Sequence, residues 1–127
     1  MRKTLYAAAV LLLAGCQTWG PTWSEVTGAR YTRATMNRYP AIIEHIDGNG
    51  AFAQNPIKIE PGKHEVTVQG PTPQRPGGSL LIAFTLDAEP CKRYYINAQY
   101  ENPVMNNFTP VIDFVEDIAG CKVPAKP

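Results

Sequence analysis

Residues 79–100 read SLLIAFTLDAEPCKRYYINAQY, and this stretch decides the fold. Leu80, Ile82, Phe84 and Leu86 alternate with Ser79, Ala83, Thr85 and Asp87, and Leu81 is the one exception. The second half repeats the period. Tyr94, Ile96, Ala98 and Tyr100 fall on one side, Arg93, Tyr95, Asn97 and Gln99 on the other. Successive side chains of a strand point to opposite faces, so a period of two in apolar and aromatic residues predicts half-buried β-strands with the first sets inward.

Working outward, the same grammar recurs. ARYTRATM (29–36) and PAIIEHID (40–47) read as short strands broken by Asn37 and Pro40, and DGNG (47–50) as a tight turn tolerant of positive φ. NPIKIEPGKHEVTV (55–68) reads as strand, turn, strand, with Pro61-Gly62 at the turn. GPTPQRPGGS (70–79) is an exposed loop. FTPVIDFVEDI (108–118) is an edge strand, given Pro110, or a strand whose second half is a helical turn. About seven short strands with turn signals between them predict an all-β, antiparallel β-sandwich, Ig-like or transthyretin-like, over residues 29–127.

The chain has 127 residues, enough for one domain. Its 44% apolar and 18% charged residues suit a globular protein, and twelve prolines and ten glycines favour short strands over long helices. Without Arg2 and Lys3, ten basic residues face eleven acidic ones. No basic stripe is left to attract phosphates, which excludes nucleic acid as the expected partner. The spaced Arg30, Arg33 and Arg38 read as a solvated strand face.

Residues 1–28 follow different rules. Met1-Arg2-Lys3 is a positive start, and Leu5 to Leu13 is an apolar run of nine residues. As a helix at ~1.5 Å per residue it covers about 14 Å, less than half of a ~30 Å hydrocarbon core. It is a secretory signal and not a membrane span. Its end, Leu13-Ala14-Gly15-Cys16, resembles the lipobox of bacterial lipoproteins. The resemblance implies cleavage after residue 15 and acylation of Cys16, including palmitate-type chains. With Gln17 and not Asp next, it also implies location on the inner leaflet of the outer membrane, facing the periplasm. Two or three acyl chains make such attachment stable where one is marginal. Residues 16–28, rich in Pro, Gly, Ser and Thr, then read as a tether in which Trp19 or Trp23 packs on the domain or rests at the headgroups.

With Cys16 consumed by lipid, Cys91 and Cys121 remain, an even number in an oxidising compartment. A disulfide is the default. There is no C-x-x-C and no nearby histidine to favour a redox or metal pair. IEPGKHEVTVQG (59–70) further resembles the turn-and-strand of PEGA-type and carboxypeptidase-regulatory-like (transthyretin-like) sandwich modules, and is similar to bacterial lipoproteins with a Pro-Gly-x-His segment. That resemblance implies a non-catalytic interaction or structural unit.

Other motifs do not carry chemistry. HIDGNG (45–50) fails as an EF-hand loop, because the first position is His45 and the twelfth Pro56. His64 shares parity with Val66 and Val68 and reads as a structural histidine hydrogen-bonded at the inward rim; His45 approaches it only if their strands are neighbours. Ser79 after Gly77-Gly78 has no nucleophile elbow, and Asp113, Glu116 and Asp117 read as solvated carboxylates. The sequon at Asn107 is uninformative in a bacterial envelope. Tyr95, Asn97 and Gln99 form an outward row that suits a protein or glycan partner and equally an ordinary strand surface.

The expectation is a lipid-anchored envelope protein, not an enzyme, with no cofactor and no metal. It would bind the membrane through Cys16 and an envelope protein or glycan through its surface. Three rivals are an inhibitor of a periplasmic or host hydrolase using Arg75 in the 70–79 loop, a lipoprotein subunit of a secretion or transport assembly, and a small enzyme or ligand carrier with a concave apolar pocket.

Overall fold

The structure, a computed structural model, describes residues 20–29, 35–51, 55–71, 80–102 and 107–123. Among these, nine strands form: β1 (Ser24–Thr27), β2 (Arg38–Pro40), β3 (Ile42–Ile46), β4 (Asn49–Gly50), β5 (Ile57–Ile59), β6 (Gly62–Gln69), β7 (Leu81–Ala88), β8 (Lys92–Tyr100) and β9 (Phe108–Asp117). They make two sheets. One is four-stranded in the order β4-β3-β6-β7. The other is five-stranded and centred on β8, which carries β9 along one edge and β1 and β2 end to end along the other, with β5 outside β1.

One hydrophobic core joins the sheets. Val26, Ile57, Ile59, Tyr94, Ile96, Ala98, Tyr100 and Phe108 come from the first, and Ile43, Ile46, Val66, Val68, Leu86 and Ala88 from the second. The period-two reading holds from Ile82 to Tyr100, but Leu80, expected inward, precedes β7 and is 41% exposed. Leu86 on β7 and Tyr94, Ile96, Ala98 and Tyr100 on β8 are buried, and Ile82 and Phe84 pack against the core. Asp47-Gly48 is the expected tight turn, with both residues at positive φ between Ile46 and its partner Asn49. β9 is an edge strand throughout, without the alternative helical turn.

Several expectations need correction. There are nine strands among the described residues, not seven, and β1 pairs with β8 in parallel. The tether expected over 16–28 ends earlier, because Ser24–Thr27 is a strand flanked by β5 and β8 with all four residues buried. Four residues with three polar side chains show no period, so sequence reading misses it. Pro61-Gly62 does not close a hairpin: β5 and β6 belong to different sheets, and the chain crosses between layers at Gly62, whose φ of +124° favours glycine. Asn97, expected outward and exposed, is fully buried. Of the strand expected over 29–36, residues 30–34 lie outside the described residues, and Thr35, Met36 and Asn37 are not strand.

Bulges explain where strict alternation fails. β3 slips register between Ile43 and His45, so Ile43 and Ile46, three apart, both point inward. On β9 the slip inserts Asp113 between Phe114, opposite Tyr95, and Ile112, opposite Ile96, so Ile112 and Val115 take the inward register opposite Ile96 and Tyr94.

Candidate functional site

The N-terminal end of the domain is built around the disulfide. Cys91 and Cys121 are joined, with Cα atoms 5.4 Å apart, and Trp23 lies against both. The Cys91 N–H donates to the Trp23 carbonyl at 2.8 Å, and the Trp23 N–H donates to the Cys121 sulfur at 3.4 Å. The Lys122 N–H donates to the Pro21 carbonyl at 2.8 Å, and the Thr22 hydroxyl to the Lys122 carbonyl. The chain is therefore fixed to the C-terminal segment from Pro21 onward. Leu13, Ala14, Gly15 and Cys16 lie outside the described residues, as do Trp19, Arg75 and Ser79.

Trp23 also begins a charged lattice across the outer face of the five-stranded sheet. Its indole Nε1–H donates to Glu25 at 2.7 Å, and the Lys58 ammonium sits 4.6 Å from its ring centroid. Trp23 thus packs on the domain, one of the two expected places for it. Arg93 bridges Glu25, at 2.9 Å, and Glu116, which also accepts from the Tyr95 hydroxyl at 3.0 Å. Further along, Arg38 donates to Asp113 at 2.6 Å and to Gln99 at 2.8 Å. Lys92 pairs with Asp117.

These partners shift protonation in one sense. Arg93 is held still more firmly protonated by its bond to Glu25, and Lys92 by its bond to Asp117. Burial, and then the bond to Glu116, push the Tyr95 hydroxyl up. These partners favour the charged forms of Arg93 and Lys92 and the neutral form of the Tyr95 hydroxyl.

The outward row read from the sequence is thus mostly internal structure. Tyr95 and Gln99 are committed to Glu116 and Arg38, and Gln99 also donates to the Met36 carbonyl at 3.0 Å. The Asn97 amide donates to the Ala29 carbonyl at 3.3 Å, and its Oδ1 is buried with no hydrogen-bond partner among the described residues. Asp113 and Glu116, expected as solvated carboxylates, are ion-paired, and the Asp113 side chain is fully buried. Sequence reading missed Glu25, a buried carboxylate that looked like part of a tether. The one available signal was its spacing from Trp23, two residues along a strand and so on the same face.

His64 lines a cleft of about 320 Å³ between the layers, with Ile46, Asp47, Asn49, Ile59 and Glu60. Its Nδ1 lies 2.6 Å from Asp47 Oδ2, and its Nε2 2.6 Å from the Glu60 carbonyl. Asp47 also accepts from the Glu65 N–H at 2.8 Å. Two acceptors on two ring nitrogens require a doubly protonated imidazolium. Burial alone pulls the His64 pKa down, but the bonds to Asp47 and Glu60 outweigh it and raise it, while the same pair lowers that of Asp47. This is the structural histidine that parity suggested. His45 is on the neighbouring strand but pairs with Thr67, on the opposite face from His64. Among the described residues, no group of three or more His, Cys, Asp and Glu is placed to hold a metal ion.

The pair gives a pH signature. A raised histidine pKa stabilises the fold fully below about pH 6.5 and is lost as pH rises through the folded value; a lowered aspartate pKa stabilises it above about pH 3.9 and is lost as pH falls through its folded value. The pair therefore contributes most between those two pH values. Thermal melts from pH 3 to 9 should show His64→Gln losing its deficit relative to wild type above neutrality. A deficit independent of pH would contradict the assignment.

Comparison of this chain with protein-family models, curated proteins and solved structures returns no match.

Proposed function

We propose that this chain is a membrane-anchored cell-envelope lipoprotein. Its domain would be a β-sandwich of Ig-like or transthyretin-like type, serving as a non-enzymatic structural or accessory binding module. The observation that carries the reading is the position of the lipobox against the fold. Cys16 precedes Pro21, the first residue fixed to the C-terminal segment, by only five residues. At ~3.4 Å per residue that is a reach of about 17 Å. An acylated Cys16 would hold the disulfide end beside the bilayer and leave the opposite end, with Tyr39, Leu80 and Tyr100, facing away from it.

Six ionisable side chains of the lattice and the cleft support a binding role. His64, Glu25, Asp47, Asp113, Glu116 and Asp117 are each engaged by a partner within the fold. Recognition then falls to surface shape and to unpaired backbone.

Growth of the bacterium with an alkyne fatty acid tests the anchor. Wild-type protein should carry the label and fractionate with the outer membrane, and Cys16→Ser should carry none. A mature wild-type protein without label would refute the reading.

A further inference from the structure

We propose that the free edge of β7 is a strand acceptor. An extended segment of another envelope protein, apolar at every second residue, adds to it and covers a seam between β7 and β9. The lipoprotein reading enters at two steps, the placing of the partner in the envelope and the choice between a partner and a second copy.

Among the described residues, β7 and β9 are each paired on one side only, and they approach each other across the two layers. Their edges differ. β9 contains Pro110, which has no N–H, a bulge at Asp113, and the charges of Asp113, Glu116 and Asp117. All three are devices that blunt an exposed edge. β7 has neither the proline nor the bulge, and one charge in place of three. Its eight residues run in unbroken register with β6, without proline, and Asp87 is its only charge.

The seam beside this edge is core left unfilled. Ile112 and Val115 on β9 face inward yet are 47% and 41% exposed, although their partners Ile96 and Tyr94 are sealed. From the other layer, Ile82 and Phe84 are only partly buried. A strand added ~4.8 Å from β7 would lay alternate side chains over these four residues while its backbone takes up the free N–H and C=O groups.

A second copy meets this edge awkwardly. Two β7 edges related by a closing two-fold pair antiparallel. The disulfide ends would then lie at opposite ends of the paired strands, about 27 Å apart at ~3.4 Å per residue. Both anchors, each with a reach of about 17 Å, meet one leaflet only if the strands stay within about 40° of the membrane plane. A segment from another chain carries no such constraint, and the geometry favours it.

The test uses the full chain in detergent micelles and hydrogen exchange followed by NMR. The probe is a ten-residue peptide alternating Val with Thr and Lys, against a control of the same composition with its valines contiguous. The alternating peptide should slow exchange at least tenfold at alternate residues of Leu81–Ala88, those whose N–H points to the free edge. Ile112→Lys should weaken this protection at least tenfold while its melting temperature stays within a few degrees of wild type. No protection, or equal protection by the control, overturns the proposal. Concentration-dependent protection without peptide, with a dimer by sedimentation, also overturns it and gives the edge to a second copy. A failed fatty-acid label removes the anchor and leaves the exchange result standing, so the two failures are distinguishable.

Discussion

Gly28→Ala should cost the fold about 3 kcal/mol or more, a loss of about 2 M in urea midpoint at a slope near 1.5 kcal/mol/M. Gly28 ends β1 where the chain leaves β8, and there it meets Ala41, the residue that carries the chain from β2 into β3. A Cβ on Gly28 would lie 1.7 Å from the Ala41 carbonyl oxygen and 2.9 Å from its carbonyl carbon. Both are backbone atoms, and Ala41 is itself tied by its N–H to the Ile96 carbonyl. No rotamer relieves the clash. Either β1 or the crossover between layers must move, and both are built into the centre of the larger sheet.

Gly70→Ala provides the contrast that identifies the cause. A Cβ there would stand 2.1 Å from the Tyr100 hydroxyl and 2.9 Å from the Phe108 ring. The obstruction is mainly one side-chain oxygen, so Tyr100→Phe should recover about 1 kcal/mol of the loss, even though it removes the Tyr100 bond to the Pro71 carbonyl. Urea unfolding of the two singles and the double variant reads this directly. Strict additivity at Gly70 would refute the steric account, and so would a Gly28→Ala protein as stable as wild type.

The contrast between these glycines also bears on what the sequence makes legible. β7 and β8 could be read because each lies between a buried face and a more polar one, and that asymmetry is written as a period of two. β1 has strands on both sides and all four residues buried, so Ser24, Glu25, Val26 and Thr27 obey no alternation. Their burial is made tolerable by partners 65 and 68 residues away, the Glu89 carbonyl for Ser24 and Arg93 for Glu25. No local pattern encodes such pairings. The same holds for Asn97, whose outward parity was right and whose exposure was not. Parity fixes the face a residue takes; what covers that face is decided by segments elsewhere in the chain. Gly28 is the extreme case, since its requirement comes entirely from an oxygen thirteen residues later. The seam between β7 and β9 was hidden in a different way: the bulge at Asp113 shifts the phase of β9, so Ile112 and Val115 fall out of any single alternating series.

Replacing both cysteines, Cys91→Ser with Cys121→Ser, should cost about 3.5 kcal/mol, the loop-closure entropy that the bond removes from an unfolded segment of some thirty residues. That is a large share of the stability of a small domain. The loss should have a local component as well, because Trp23 is held between the two cysteines. Freed of the bond, Cys121 no longer has to stay beside Trp23, and the Lys122 bonds to Pro21 and Thr22 lose the restraint that keeps their two chains together. Hydrogen exchange should therefore quicken first at Trp23, Ile118 and Lys122, while Val66 and Val68 on β6, in the middle of the other sheet, keep their protection up to the remaining global stability. Position 91 adds a sign of its own. Its backbone sits at φ +62°, which glycine adopts without cost and serine does not. Cys91→Gly with Cys121→Ser should thus be about 1 kcal/mol more stable than the double serine variant. If exchange rises evenly across both sheets, the disulfide acts on the unfolded chain alone. If Trp23 and Lys122 lead, it also holds the first strand, and with it the segment through which an anchor at residue 16 would bear on the domain.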